Sequence, residues 1–149
     1  MNNIIILLRT LINDLDGTQF TDDQLSRLVI VSSLIVTKEV YFDQSYIIDI
    51  ANVTLSPDPD NDFCLFAAYM AAILLLKAEL RKQSYKNIKI TDGPSSIDLG
   101  NVTKSMQENL NSFLSQYEKM KRDFTMNKNL GNVIITPTTV PYLNPYTFE

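Results

Sequence analysis

Histidine is absent from this chain, and cysteine occurs once, as Cys64. Without histidine the sequence holds no Cys/His zinc site, no Ser-His-Asp triad and no Cys-His pair. One cysteine excludes an intramolecular disulfide, so cysteine usage says nothing about redox compartment. Inside its apolar surroundings Cys64 reads as a small buried hydrophobe rather than a reactive thiol. Glycine-rich phosphate loops are missing, and no pair of carboxylates is set in a helix stripe for acid–base work. Asp58-x-Asp60-x-Asp62 imitates the opening of a calcium loop, but Phe63 stands where that loop needs glycine and Tyr69 where it needs its bidentate glutamate. The expectation is a protein without catalytic residues, metal or cofactor. A basic face is lacking too. The net charge of −4 argues against a clamp that neutralises phosphates.

Targeting signals are equally scarce. Met1–Leu15 has an apolar centre, but no positive region precedes it, Arg9 interrupts it and no small-residue cleavage site follows. No secretion is expected, and Asn52-Val-Thr54 and Asn101-Val-Thr103 are then chance matches to the glycosylation pattern.

What the chain has is apolar helix. Its 149 residues suit one domain with a real core. Phe63–Leu76, FCLFAAYMAAILLL, runs without a charge. Spanning a bilayer needs about 20 such residues, so this run reads as the middle of a buried helix, not a membrane insertion. That helix is placed at about 59–84, with Asp58 as its cap and Pro59 in its first turn. It is apolar all round and must be surrounded. Ala67, Ala68, Ala71 and Ala72 recur four apart and let neighbouring backbones approach.

Three further helices are expected. Residues 3–15 carry a stripe of Ile4, Ile5, Leu7, Leu8, Leu11, Ile12 and Leu15, ended by Asp16-Gly17. The second begins at Phe20-Thr-Asp-Asp-Gln-Leu25, where Thr21 and Gln24 have capping-box spacing and Phe20 and Leu25 staple spacing. It should run to about Glu39. The last, about Val102–Phe124, has Met106, Leu110, Phe113, Tyr117, Met120 and Phe124 in a heptad-like seam. Residues 42–56 read equally as a short strand or a helical turn. At 87–99, Ile88, Ile90, Ile97 and Leu99 alternate with polar residues around Asp92-Gly93-Pro94, which predicts a β-hairpin. From 126 onward the chain turns into a tail with Pro137, Pro141 and Pro145, which forbid a helix. The fold class expected is therefore mainly α: a four-helix bundle over 1–125 with a small hairpin, and an extended tail over 126–149.

This order of elements carries a resemblance. Gly17-Thr-Gln-Phe-Thr-Asp-Asp-Gln-Leu25, then Ala67–Leu80, then Lys89-Ile-Thr-Asp-Gly-Pro-Ser-Ser-Ile-Asp98 running into the last helix, resemble the head-to-tail connector (adaptor, or head-completion) proteins of tailed bacteriophages over about residues 1–125. The resemblance implies a virion protein, made in the host cytoplasm, that forms a ring of typically twelve copies below the portal protein. DNA passes through its lumen without specific binding, and the ring presents a platform to the next neck or tail ring. Apolar surface beyond what four helices bury leads to an expected subunit interface at Leu28, Ile35, Ala67, Ala71 and Leu74. The hairpin, through Ile88, Ile90, Ile97 and Leu99, is expected to meet another ring or line the neck. The tail is expected to dock on the portal. Val133, Ile134 and Ile135 would add a strand to a sheet edge, with Tyr142, Tyr146 and Phe148 as anchors. Another ring-forming virion or secretion-machine subunit is the competing reading. A helix-turn-helix regulator is a further one, although the helix at 21–39 carries Leu, Val and Ile where a recognition helix needs basic and amide groups.

Overall fold

The first helix, α1, spans Asn2–Ile12 and buries Ile4, Ile5 and Leu8. It stops earlier than the apolar stripe, because Asn13 takes the left-handed conformation (φ 57°) and turns its N–H back to the carbonyls of Arg9 and Thr10. Leu15 therefore lies outside the helix and is exposed. Asp16-Gly17 belongs to the following turn, where Gly17 has φ +65°. In this computed structural model the backbone is described for residues 1–87 and 99–130, and side chains for 1–83 and 103–128.

Helix α2, Asp22–Glu39, starts where the capping pattern places it. Thr21 Oγ1 accepts from the Gln24 N–H at 3.3 Å, and Gln24 Oε1 accepts from the Thr21 N–H at 3.0 Å. Asp22 and Asp23 lie against the positive end of the dipole. Both staple residues pack on the core, Leu25 fully and Phe20 in part. Thr21→Ala removes the acceptor for one orphan N–H and should cost about 1 kcal/mol, read as a lower urea midpoint at unchanged slope.

Two three-residue strands follow, β1 (Ile47–Asp49) and β2 (Thr54–Ser56). They pair antiparallel, with Ile47 opposite Ser56 and Asp49 opposite Thr54. The turn between them contains no glycine. Asp49 Oδ1 instead accepts the N–H groups of Ala51 and Asn52 at 2.9 and 3.1 Å, and Val53 takes a positive φ of 54°. A β-branched residue is strained there.

Helix α3, Asn61–Asn87, and helix α4, Leu99–Leu130, complete the bundle. α3 is the centre: α1, α2 and α4 all pack on it. Ala67, Ala68, Ala71 and Ala72 are completely buried, and α2 likewise buries Ser32 and Ser33, so α3 is lined and approached by small side chains. One α3 window is long and apolar enough to cross a bilayer by composition, yet half of it is buried inside the bundle. The seam on α4 buries Leu110 and Tyr117 and sets Phe113, Met120 and Phe124 against the core. At one end Phe42 is the hub of an aromatic cluster, with ring centroids 5.1 Å from Phe63, 5.5 Å from Phe124, and 5.9 Å from both Phe66 and Tyr46. Each such pair adds about 1 kcal/mol beyond the area it buries.

The mainly helical, four-helix fold with a small hairpin is what the sequence predicts, but several placements differ. The cap of α3 is Asp60, not Asp58: its Oδ1 accepts the Phe63 N–H at 2.7 Å, and Pro59 precedes the helix. Residues 42–56 hold the described hairpin. The hairpin expected at 87–99 falls on residues 88–98, outside the described residues, while Asn87 closes α3 and Leu99 opens α4. Leu99 is thus a helical residue and not a strand residue. The tail also starts later, since Met126–Leu130 continue α4.

Candidate interaction surfaces

The strongest polar cluster among the described residues is structural, and sequence reasoning passed over it. Arg9, which interrupts the stripe of α1, turns its guanidinium into the α1–α2 connection. One nitrogen donates to Asp14 Oδ2 at 2.7 Å, the other to the Phe20 carbonyl at 3.0 Å and to Asp22 Oδ1 at 2.6 Å. Asp14 is buried and accepts the N–H groups of Gln19 and Phe20 at 3.0 and 3.2 Å. A Cβ at Gly17 would touch this guanidinium, at 3.3 Å. The cluster locks the loop that sets α1 against α2.

The Gln19 N–H, ahead of Phe20 and the Arg9 charge, holds the Asp14 carboxyl below its ordinary pKa. A carboxyl that is more acidic when folded stabilises the fold above its unfolded pKa, near 4, and loses that contribution as pH falls through the lower folded value. Asp14→Asn should lower the melting temperature by several degrees at pH 7 and flatten its decline between pH 5 and 2. Thermal melts across that window check this.

Tyr117 is buried on α4, and its hydroxyl donates to Glu39 Oε2 at 3.1 Å. Desolvation, then the Glu39 charge, raises its pKa far above the usual phenol range. Desolvation likewise raises the Cys64 thiol. In both, burial disfavours the charged form. Among the described residues no three His, Cys, Asp or Glu side chains gather as a metal site.

The apolar surface is more informative. Ala67 and Ala71 are 0% exposed within a single chain, so they have no surface left for another subunit. Their assignment to a ring interface is corrected to core: the small-residue face of α3 is used up by its own bundle. Leu28, Ile35 and Leu74 are half-buried and pack partly on that core. Leu28 and Ile35 still flank Val31, which is 44% exposed, so α2 keeps a second apolar stripe at spacings of three and four. Ile47 and Ile50 project from the β1–β2 hairpin.

A second surface lies between α1 and the start of α3. Asn3, Ile6 and Leu7 face Asn61, Asp62, Cys64 and Leu65 across a groove of about 470 Å³. Its apolar walls include Ile6, 63% exposed, and Leu65, 38% exposed. The end of α4 emerges at the same pole of the bundle. Lys128 Nζ donates to the Tyr41 carbonyl at 3.0 Å and to Asp43 Oδ1 at 2.9 Å, and sits 4.9 Å over the Phe124 ring. These contacts tie the end of α4 to the segment that follows α2.

Ile88, Ile90 and Ile97 lie outside the described residues, as do Val133, Ile134, Ile135, Tyr142, Tyr146 and Phe148. Of the surfaces above, the α2 stripe was visible in the sequence as excess apolar character. The groove was not, because it is made of residues nearly sixty positions apart. Compared with known proteins, the chain matches no family model, no curated protein and no solved structure.

Proposed function

We propose that this protein is a structural subunit of a ring at the neck of a tailed bacteriophage, placed below the portal, where it extends the DNA channel and joins head to tail. The observation that supports the reading is the helical architecture: an alanine-rich, all-apolar α3 wrapped by α1, α2 and α4. Bulky apolar side chains left outside at Val31, Ile6, Leu65 and Ile47 supply surface for contacts between subunits and with neighbouring rings. The α2 stripe of Leu28, Val31 and Ile35 takes the place of the α3 alanines as the proposed subunit contact, and residues 131–149 are the segment that engages the portal.

A recognition-helix role for α2 is disfavoured by its packing. Leu25, Val29, Ile30, Ser32, Ser33 and Val36 are buried, and Asp22 and Asp23 open the helix. The test is assembly on a portal. Full-length protein mixed with purified portal of the same phage should form a defined ring complex, seen by mass photometry and electron microscopy. A protein that leaves every portal bare, while shifting duplex DNA as a dimer, would overturn the reading in favour of a regulator.

A further inference from the structure

We propose that the α1–α3 groove is the docking site for the chain's own C-terminal segment, residues 131–149, in the free protein. Three observations converge on this occupant. The first is position. The groove lining includes Cys64, next to Phe63, and Phe63 meets Phe42 edge to face with ring centroids 5.1 Å apart. Phe42 in turn contacts the tilted ring of Phe124, centroids 5.5 Å apart, one turn before Lys128, which bonds to Tyr41 and Asp43. The chain therefore leaves α4 a few side chains from the groove. The second is length: residues 131–149 reach roughly 60 Å when extended, several times that separation.

The third is chemistry. The groove walls are aliphatic, with Asn3, Asn61 and Asp62 along the rim. The sequence of the segment has the branched residues Val133, Ile134 and Ile135, then three prolines, a residue type that favours extended backbone, and its single charged side chain is Glu149. An extended chain of this kind can bury its branched side chains on Ile6, Leu7 and Leu65 and give its backbone to the rim amides. A tethered segment meets this groove at an effective concentration no separate molecule approaches.

The consequence for assembly rests on the connector reading; the docking itself does not. A tail held in the groove is withheld from the portal, so the portal must compete for it. Groove occupancy then keeps the free subunit from binding prematurely.

The test uses the full-length protein. Leu65→Cys is combined with Ile134→Cys, and the control combines Leu15→Cys with Ile134→Cys. Leu15 is exposed beyond the opposite end of α1, and native Cys64, which lines the groove, is replaced by Ala in both proteins. Dilute protein is oxidised with glutathione disulfide, and intrachain disulfides are counted by mass spectrometry. The Leu65→Cys pair should close at least about tenfold faster than the Leu15→Cys pair, since effective concentration sets the rate. Adding Ile6→Glu, a change at an exposed position, should erase the difference while circular dichroism stays unchanged. Equal rates for the two pairs overturn the proposal. So does a product mainly linked between chains, which assigns the groove to a second copy. In a portal pull-down, Ile6→Glu should increase capture. Preferential closure with no portal capture by any variant leaves the docking standing and removes the connector reading instead.

Discussion

Ala71→Glu is expected to unfold the protein, and not simply to block its assembly. Ala71 is 0% exposed on the helix that the other three surround, with Ala67, Ala68 and Ala72 equally closed off. A glutamate there must bury a carboxylate with no partner, at several kcal/mol, and force its extra atoms into a close helix–helix approach. Overpacking of a filled core adds about 1–3 kcal/mol more. Small domains have only about 5–15 kcal/mol in total, so most native signal should vanish. Circular dichroism and urea unfolding read this directly. Val31→Glu is the informative counterpart. Val31 is partly exposed on the outer stripe of α2. Its replacement should change stability by less than about 1 kcal/mol, the usual range for surface positions. It should still prevent ring formation with the portal, because a charge at the centre of an apolar contact is left unpaired. If Ala71→Glu stays folded and only assembly fails, then α3 and not α2 forms the subunit contact.

On the proposed connector role, removing residues 131–149 is expected to leave a folded helical bundle that does not bind the portal. The buried core described for the bundle lies in α1 to α4 and in Val40 and Phe42 just after α2, and Lys128 near the end of α4 bonds to Tyr41 and Asp43. Truncation after Leu130 preserves those bonds, whereas truncation at 125, where the sequence alone sets the boundary, would cut them. Cooperative unfolding should survive, with a modest loss of stability from the emptied groove. Portal capture should fall at least a hundredfold, since Tyr142, Tyr146 and Phe148 are of the residue type that dominates interface energy. A pull-down comparing both lengths checks this. Equal capture would separate the tail from portal binding, and a truncated chain that unfolds would make the tail part of the core.

Where local rules govern, the sequence and the structure agree. The capping box at Thr21 and Gln24, the heptad-like seam of α4 and the apolar run of α3 depend on neighbours three or four residues apart, and such spacing is visible without coordinates. The hairpin at 47–56 was missed because its turn uses Asp49 and a strained Val53 in place of glycine, the usual signal. The cap of α3 was misplaced by two residues. Asp58 and Asp60 are equivalent as letters, and Asp60 is distinguished by Tyr46, whose hydroxyl donates to it at 3.0 Å from fourteen residues away.

By itself the sequence determined a four-helix, mainly α domain, because helix formation and termination are written in local spacing, caps and prolines. Tertiary structure decided which apolar residues remain outside. Ala71 and Val31 are both apolar residues on apolar helices, yet one is enclosed and the other is partly exposed. The difference arises because α3 has three helices packed on it, while Val31 lies on the part of α2 turned away from the core. Burial is a property of the assembled packing, not of the residue, so the sequence showed which helices are apolar but put Ala67 and Ala71 at an interface where the packing puts them in the core.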